Sequence, residues 1–444
     1  MSPKTVAIVG GGLAGCECAM ALARAGVKVT LFEMRPLRRS PAHTGDDLAE
    51  LVCSNSLRSD DPDAAIGLLK REMEALGSVV MRAARATAVP AGKALAVDRE
   101  LFAREVTRAV EAEANITLVR QEVASLDDLA LQGFDAVVIA AGPLASEGLA
   151  QSLAAAVGAQ SLYFYDAIAP IIFTHSIDFS KVFSASRWEE GEGDYLNSPM
   201  EKDEYLAFHQ ALLDGEKVVP REFEKEIHFE GCMPVEALAE RGVKTLVFGP
   251  LKPVGLTDPR TGRRPYAVAQ LRPENAEKTC YNLVGFQTKL KYPEQERIFR
   301  MLPGLENAEF ARLGSIHRNT YVDAPKVLTD DLELAARPGV YLAGQITGVE
   351  GYLESAACGL WLGLHLAGGL SLPPRETALG ALLGHLRTPV KKFQPSNVNF
   401  GLSPDLTERA KKDSRKALYA ARARAAWERW MEGGKESEEK QEEK

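Results

Sequence analysis

The chain has 444 residues, of which 45% are hydrophobic and 26% charged, and its formal net charge at pH 7 is -8. This length exceeds what one compact core holds and predicts two or more domains with the composition of a soluble globular protein. The acidic balance disfavours a general nucleic-acid binder, and the apolar runs are too short to predict a membrane-spanning helix.

The cysteines are scattered and form neither a Cys-x-x-Cys pair nor a metal-ligand cluster. They are Cys16, Cys18, Cys53, Cys232, Cys280 and Cys358. We therefore expect no metal site and a reduced, cytoplasmic compartment. A strand predicted almost at the first residue leaves no room for a signal peptide, which agrees with that location.

A glycine fingerprint stands near the start of the chain. The predicted elements around it are a buried strand, a helix and a second strand, over residues 6–9, 14–25 and 27–32. Gly10 permits a tight turn, Gly12 lets the backbone approach a pyrophosphate, and Gly15 lets the helix pack close to the strand. The diphosphate is expected on the helix N-terminus, with Glu33 accepting hydrogen bonds from an adenosine ribose. This complete context predicts dinucleotide binding.

The elements that follow complete a first domain, predicted over residues 1–150. Helices are predicted over 62–76, with Asp61 as the N-cap, and over 98–113. A strand over 136–140 leads into Gly142, where a small residue lets the backbone approach a bound dinucleotide.

Residues 151–310 have a different composition and are predicted to form a second, substrate-binding domain. Within this region, residues 187–240 carry 15 acidic and 5 basic side chains, whereas residues 244–300 carry 5 acidic and 11 basic ones. The basic part interleaves charged with aromatic residues and is a candidate surface for phosphates and bases. The candidate RNA-binding residues are Arg260, Arg263, Arg264, Arg272, Lys289 and Lys291. A solvated charged face explains the same composition equally well.

The strand–helix alternation returns over residues 311–402. A strand over 340–343 precedes Gly344-Gln345-Ile346-Thr347-Gly348, and a nearly uncharged helix over 353–366 must be buried against another element. A basic helix over 403–431 is a candidate RNA contact or a solvated helix. The acidic end, 432–444, is expected to be disordered.

Two cysteines are candidates for chemistry. Cys53 lies in a polar stretch just after the dinucleotide unit, and Cys232 precedes Pro234, where a helix is predicted to begin. A helix N-terminus favours the thiolate form of a cysteine. Each position also suits a small buried residue, so these features alone leave both readings open.

Longer motifs resemble those of a known family, the folate- and FAD-dependent tRNA (uracil-5-)-methyltransferases, which form ribothymidine in the T-loop. The family-specific ones are Phe-Glu-Gly-Cys-Met-Pro at 229–234 and Gln-Pro-Ser-Asn-Val-Asn-Phe-Gly at 394–401. Others are Gly-Gly-Gly-Leu-Ala-Gly at 10–15, Val-Cys-Ser-Asn-Ser-Leu-Arg at 52–58, Gly-Leu-Leu-Lys-Arg-Glu-Met at 67–73 and Ala-Gly-Gln-Ile-Thr-Gly-Val-Glu-Gly-Tyr at 343–352.

The resemblance implies an α/β fold in which a Rossmann-like, glutathione-reductase-type FAD-binding domain is interrupted by a smaller α/β insertion domain. It implies FAD as cofactor, 5,10-methylenetetrahydrofolate as one-carbon donor, NADH or NADPH as reductant and the T-arm of tRNA as partner, with no DNA. The residues that it places at FAD are Gly10, Gly11, Gly12, Leu13, Ala14, Gly15, Glu33, Gly142, Gly344, Gln345 and Gly348.

The resemblance also assigns the two thiols. Cys232 is expected to add to uracil C6, so that C5 attacks the one-carbon unit, and Cys53 to remove the C5 proton. A hydride from reduced FAD would then complete the methyl group. The residues alone do not decide which of the two cysteines is the nucleophile and which is the base.

Three alternative functions remain, one of which is a non-catalytic RNA-binding flavoprotein. A flavoprotein that modifies wobble uridines shares the glycine motifs but lacks the motif around Cys232. A small-molecule NAD(P)H:flavin oxidoreductase fits the fingerprint but leaves Cys232 and the basic segment unexplained.

Overall fold

A computed structural model describes residues 2–40, 42–158, 162–188, 193–218, 233–406 and 412–442. The strands are β1 (Thr5–Val9), β2 (Lys28–Glu33), β3 (Ser56–Ser59), β4 (Ala88–Val89), β5 (Ala94–Val97), β6 (Ile116–Arg120), β7 (Ala136–Ile139), β8 (Leu162–Ala167), β9 (Ile171–Phe173), β10 (Phe183–Ser184), β11 (Leu196–Met200), β12 (Ala267–Pro273), β13 (Cys280–Leu283), β14 (Phe310–Arg312), β15 (Ile316–Tyr321) and β16 (Val340–Leu342).

The helices are α1 (Leu13–Arg24), α2 (Ala65–Ala75), α3 (Val79–Ala86), α4 (Arg99–Glu111), α5 (Glu147–Val157), α6 (Lys202–Asp214), α7 (Val235–Glu240), α8 (Thr245–Phe248), α9 (Tyr292–Phe299), α10 (Ala324–Val327), α11 (Tyr352–Gly368), α12 (Ala378–His385) and α13 (Lys412–Glu442).

A parallel sheet in the order β16-β7-β1-β2-β6 forms the centre of one part of the fold, which we call the parallel-sheet part. Its strands are almost wholly apolar because helices cover a parallel sheet on both faces. The carboxyl ends of β1 and β2 lie side by side, with Val9 paired to Phe32. This arrangement confirms the predicted Rossmann-like α/β fold and its strands within two residues at each end.

The chain leaves this sheet after β7 and returns to it at β16. Between them, β9 to β14 form a second sheet, entirely antiparallel, in the order β10-β11-β12-β13-β9-β14. Its core includes Tyr205 and Phe208 from α6 and Phe299 from α9, all buried. The predicted domain limits at residues 150 and 310 remain a prediction.

Helices α1 and α11 form the most closely packed contact of the parallel-sheet part, and we call them the helix pair. A side chain at Gly359 would lie 2.7 Å from the backbone of Ala14, and one at Gly363 would lie 2.7 Å from the carbonyl oxygen of Cys18. The nearly uncharged helix is therefore buried, as predicted, against the first helix of the fingerprint.

The predicted start of the second helix is wrong by three residues. The Asp61 carboxylate accepts the N–H of Asp63 at 2.9 Å, and the Asp61 carbonyl accepts that of Ala64 at 3.0 Å. These bonds make a turn before α2, which begins at Ala65. Asp98, by contrast, caps α4 by accepting the N–H of Leu101 at 3.0 Å.

The C-terminal prediction needs two corrections. The helix does not begin at 403, because residues 403–406 are not helical and Arg422 donates to the carbonyls of Pro404 and Asp405. The predicted disorder of 432–444 is also wrong as far as Glu442, since α13 continues to that residue. Glu, Lys and Gln are strong helix formers, and they extend a helix that already exists.

Candidate active site

The glycine turn joins β1 to α1 and leaves one side open. The N–H of Gly10 donates to the carbonyl of Phe32 at 2.8 Å, and Gly10 has φ 112°, where a side chain would strike the backbone of Ala140. Gly15 packs against the carbonyl of Gly10. A side chain at Gly12, in contrast, would meet nothing within 4 Å. The backbone at Gly12 is therefore open to an incoming group at the N-terminus of α1.

Glu33 lies at the end of β2, as predicted, but its carboxylate already accepts hydrogen bonds from within the protein. It accepts the N–H of Gly11 at 2.9 Å and the Nε–H of Arg35 at 2.9 Å, and Arg35 also pairs with Glu50 at 3.1 Å. Burial would raise the pKa of Glu33, but the hydrogen bonds and charge of Arg35 outweigh it, so the pKa is lowered. Gly11 thus holds Glu33 and does not line the cleft, and Glu33 is a fixed anion whose remaining lone pairs can accept from a ligand.

A first cleft of about 1040 Å³ runs along these carboxyl strand ends. Of the predicted cofactor residues, it is lined by Gly10, Gly12, Leu13, Ala14, Glu33, Gly142, Gly344 and Gln345. Gly348 does not line it, and a side chain there would strike the ring of Phe393.

A dinucleotide fits these residues on structural grounds. The cleft has an open glycine backbone at Gly12, a second at Gly142, where φ is 67° and a side chain would meet nothing within 4 Å, and a fixed acid at Glu33. These features are what FAD needs from a Rossmann fold.

A second cleft of about 1080 Å³ adjoins the first and shares Val52, Pro143, Leu144, Gln345 and Tyr352 with it. Cys53, Ser54, Ser56 and Arg58 from residues 52–59, which we call the Cys53 segment, line it. Cys53 therefore lies where the two clefts meet.

Hydrogen bonds from three sides fix the Cys53 segment. The N–H groups of Cys53 and Ser54 donate to the hydroxyl of Tyr352 at 2.6 and 3.1 Å. Arg312 donates to the carbonyl of Val52 at 3.0 Å, and Arg272 donates to the side chain of Ser54 at 2.7 Å. The thiol is thus presented by a backbone that cannot easily move.

Two half-buried arginines, Arg99 and Arg312, lie near this thiol. Arg99 forms an ion pair with Glu274 at 2.9 Å. Burial lowers the pKa of Arg99, but the negative charge of Glu274 outweighs it and raises that pKa. Burial raises the pKa of Tyr352 well above its usual value, so it remains a neutral phenol. Cys53 therefore has two arginines and a neutral phenol as neighbours.

The second predicted thiol, Cys232, lies outside the described residues. The helix predicted at Pro234 is present, since Pro234 precedes α7 directly. The N–H of Val235 donates to the carbonyl of Gln287 at 2.7 Å, and Gln287 lines the second cleft. The chain therefore approaches this cleft three residues after Cys232.

The six predicted RNA-binding residues are not one surface. Arg272 is buried and donates to Asn55 at 2.8 Å and to Ser54, so its assignment to an RNA surface is wrong. Lys289 is also buried and does not belong to an exposed basic face.

The other four remain accessible to different degrees. Arg260 pairs with Asp258 at 2.7 Å and Lys291 with Glu216 at 2.7 Å, while Arg263 and Arg264 are exposed. In the basic C-terminal helix, Arg424 pairs with Asp63 at 3.0 Å. Several of the basic side chains predicted to bind RNA are thus already paired with acidic side chains of the same chain.

Sequence reasoning missed Tyr352, Arg99 and Arg312. Tyr352 ended a quoted motif, and its place directly after Gly351 at the start of a buried helix was the available signal. The two arginines carried none, because their roles depend on contacts with distant parts of the chain.

The described parts of the chain contain neither a metal-ligand cluster nor a membrane-spanning helix. No three His, Cys, Asp or Glu side chains there come together as ligands for a metal ion. None of the helices there has the length and apolar composition needed to cross a membrane.

Comparisons with known proteins agree on one family. The family model described as glucose inhibited division protein A matches residues 5–371. The methylenetetrahydrofolate--tRNA-(uracil-5-)-methyltransferase TrmFO of Oleidesulfovibrio alaskensis is 67% identical over 431 residues, covering 96% of this chain and 97% of that protein. The protein of the same name from Nitratidesulfovibrio vulgaris strain Hildenborough is 69% identical over 434 residues, covering 96% and 91%.

Solved structures give the same fold. Aquifex aeolicus GidA in its form II crystal matches with a TM-score of 0.66 at 19% identity, covering 99% of this chain and 76% of that one. The form I crystal gives a TM-score of 0.67 at 20% identity, covering 96% and 76%.

Proposed function

The chain belongs to the TrmFO family, and from this premise we propose that it methylates uracil C5 in tRNA, with methylenetetrahydrofolate as one-carbon donor and FAD as cofactor. We further propose that the target lies in the T-arm, that NADH or NADPH is the reductant and that the enzyme acts in the cytoplasm. The position of Cys53, where the two clefts meet and near Arg99 and Arg312, is the observation that carries the proposal.

The protein's part in the reaction begins with a thiolate. Uracil C5 is a poor nucleophile, and addition of the Cys232 thiolate to C6 moves electron density to C5, which then attacks the one-carbon unit. Cys53 accepts the C5 proton, so that the bond to the folate nitrogen can break. FAD, when bound and reduced, would supply the hydride that completes the methyl group, and the bond between C6 and the Cys232 sulfur then breaks to release the thiolate.

The remaining residues orient and shield this chemistry. Tyr352 holds the N–H groups of Cys53 and Ser54, and Arg312 holds the carbonyl of Val52, so the base keeps its place at the junction. The open backbone at Gly12 and the anion at Glu33 would hold the pyrophosphate and ribose parts of the cofactor. The target base must leave the folded RNA to reach the cleft.

Covalent trapping tests this proposal. A T-arm RNA with 5-fluorouridine at the target cannot lose fluorine as a proton, so the thiol adduct should persist on a denaturing gel. We expect a shifted band for the parent chain and for Cys53→Ala, and none for Cys232→Ala. Loss with Cys53→Ala alone would exchange the two roles. No band in any variant that binds FAD would contradict uracil C5 methylation.

A further inference from the structure

Arg58 has a backbone conformation that arginine rarely adopts. Its φ is 63°, in the left-handed region, which is energetically costly for a residue other than glycine. Three contacts hold it there. The N–H of Arg58 donates to Ser56 Oγ at 3.1 Å, and Lys70 Nζ donates to the carbonyls of Arg58 at 3.1 Å and Ser59 at 2.7 Å. Such strain is typical of a side chain that must point in one functional direction.

A fully buried carboxylate holds the other end of the same residue. Arg58 Nη2 pairs with Glu354 in the first turn of α11, and Glu354 Oε1 also accepts the N–H of Val398 at 2.9 Å. The Arg58 side chain is nevertheless 39% exposed, and it lines the second cleft. The guanidinium therefore keeps N–H donors that face the cleft.

The charges along the second cleft are few. Among its lining residues in the described part of the chain, Arg58 is the only cation, and Glu350 is the only acid. Glu350 accepts the amide N–H of Gln345 at 2.7 Å, and Cys53 lies on the same cleft wall as Arg58. A single preoriented guanidinium suits one carboxylate, which it can bind with two parallel hydrogen bonds.

We propose that Arg58 binds a glutamyl carboxylate of the folate, with Lys70 and Glu354 as positioning residues. This inference rests on the proposed function and adds a ligand contact to it. The pterin and aminobenzoyl parts of a reduced folate are uncharged, so its negative charge lies on the glutamate. An RNA contact would instead need several cations along a backbone of phosphates, and the described residues that line this cleft include one.

The test removes the charge from both partners. Dissociation constants for tetrahydrofolate and for tetrahydropteroyl methylamide, in which an uncharged methylamide replaces the glutamate, are measured with the FAD-loaded parent, Arg58→Met, Arg58→Lys and the exposed control Arg297→Met. The parent and Arg297→Met should bind tetrahydrofolate about 10- to 100-fold more tightly than the methylamide, the range of a hydrogen bond between charged groups. Arg58→Met should bring that ratio close to one, and Arg58→Lys should give an intermediate ratio.

The double variant Arg58→Met/Glu354→Gln guards against misfolding, because it avoids leaving Glu354 charged and unpaired, and it should give the ratio of Arg58→Met. The inference is overturned if the parent binds both ligands equally or if Arg58→Met weakens both by the same factor. A weakened tRNA affinity with unchanged folate affinities would assign Arg58 to RNA and overturn it too. In each case the fluorouridine adduct of the parent reports separately on the proposed function.

Discussion

The helix pair and the Cys53 segment are in contact, yet their cysteines lie in opposite environments. In the helix pair, Cys16, Cys18 and Cys358 are fully buried among small residues, and burial raises the pKa of each thiol. In the Cys53 segment the thiol is only half buried and lies in a cleft beside arginines. The comparison teaches that packing makes a cysteine an inert core residue, whereas a tethered polar loop makes one available for chemistry.

Thiol alkylation should separate the two regions by the largest factor. In the native protein we expect iodoacetamide to modify Cys53 at least about 1000-fold faster than Cys16, Cys18 or Cys358, because the buried thiols react only after unfolding. Peptide mass spectrometry after timed quenching measures the rates, and denaturant should make them equal. Rapid native labelling of Cys18 would contradict the packing of the helix pair.

Two identical substitutions sharpen the packing argument. Gly359→Ala should lower the free energy of unfolding by about 1–3 kcal/mol, because the added methyl group would strike the backbone of Ala14. Gly368→Ala, at the end of the same helix, meets nothing within 4 Å and should be neutral or stabilising by up to about 1 kcal/mol. Urea unfolding checks both. Equal effects would show that helix propensity, not close approach, decides these positions.

The pH-dependent comparison concerns two buried charges, one in the helix pair and one beneath the Cys53 segment. Burial raises the pKa of Glu17, in α1, to about 7, whereas burial lowers the pKa of Lys70, beneath the Cys53 segment, to about 8. From pH 4.5 to 7 the folded state holds a proton at Glu17 that the unfolded chain has lost, so Glu17 makes stability fall as pH rises. From pH 8 to 10.5 the unfolded chain holds the extra proton at Lys70, so stability rises with pH.

Each contribution has a slope of at most about 1.4 kcal/mol per pH unit. Glu17→Gln should flatten the stability profile only in the acidic window, and Lys70→Met only in the alkaline one, when urea unfolding is repeated across pH. A variant that leaves its own window unchanged would show that the corresponding group titrates normally in the folded protein.

The fingerprint region was predictable because its signals are local. The apolar run before Gly10, the glycine spacing and the terminal Glu33 each depend on neighbours within thirty residues, and the structure has the expected elements. The contacts of Glu33 with Arg35 and Gly11 were not predicted, because the turn that brings Arg35 back to the strand end has no distinctive spacing.

The wrong predictions arose because charged side chains were assumed to be exposed to solvent. Arg272 stood in a basic, aromatic stretch, yet it lies in a fully buried strand and bridges to the Cys53 segment, more than two hundred residues earlier in the chain. The acidic C-terminal residues suggested disorder, yet they continue α13. Composition does not reveal whether a charged side chain finds a partner in the folded chain.

By itself, the sequence determined the class of fold, the dinucleotide fingerprint and the family resemblance, because these depend on short-range periodicity and on motif identity. Only the tertiary structure decided which charges are buried, how Tyr352 and Arg312 fix the Cys53 segment, and that Lys70 and Glu354 hold Arg58 towards the second cleft. These features join residues far apart in the chain, and their energies come from burial and hydrogen bonding that exist only once the chain has folded.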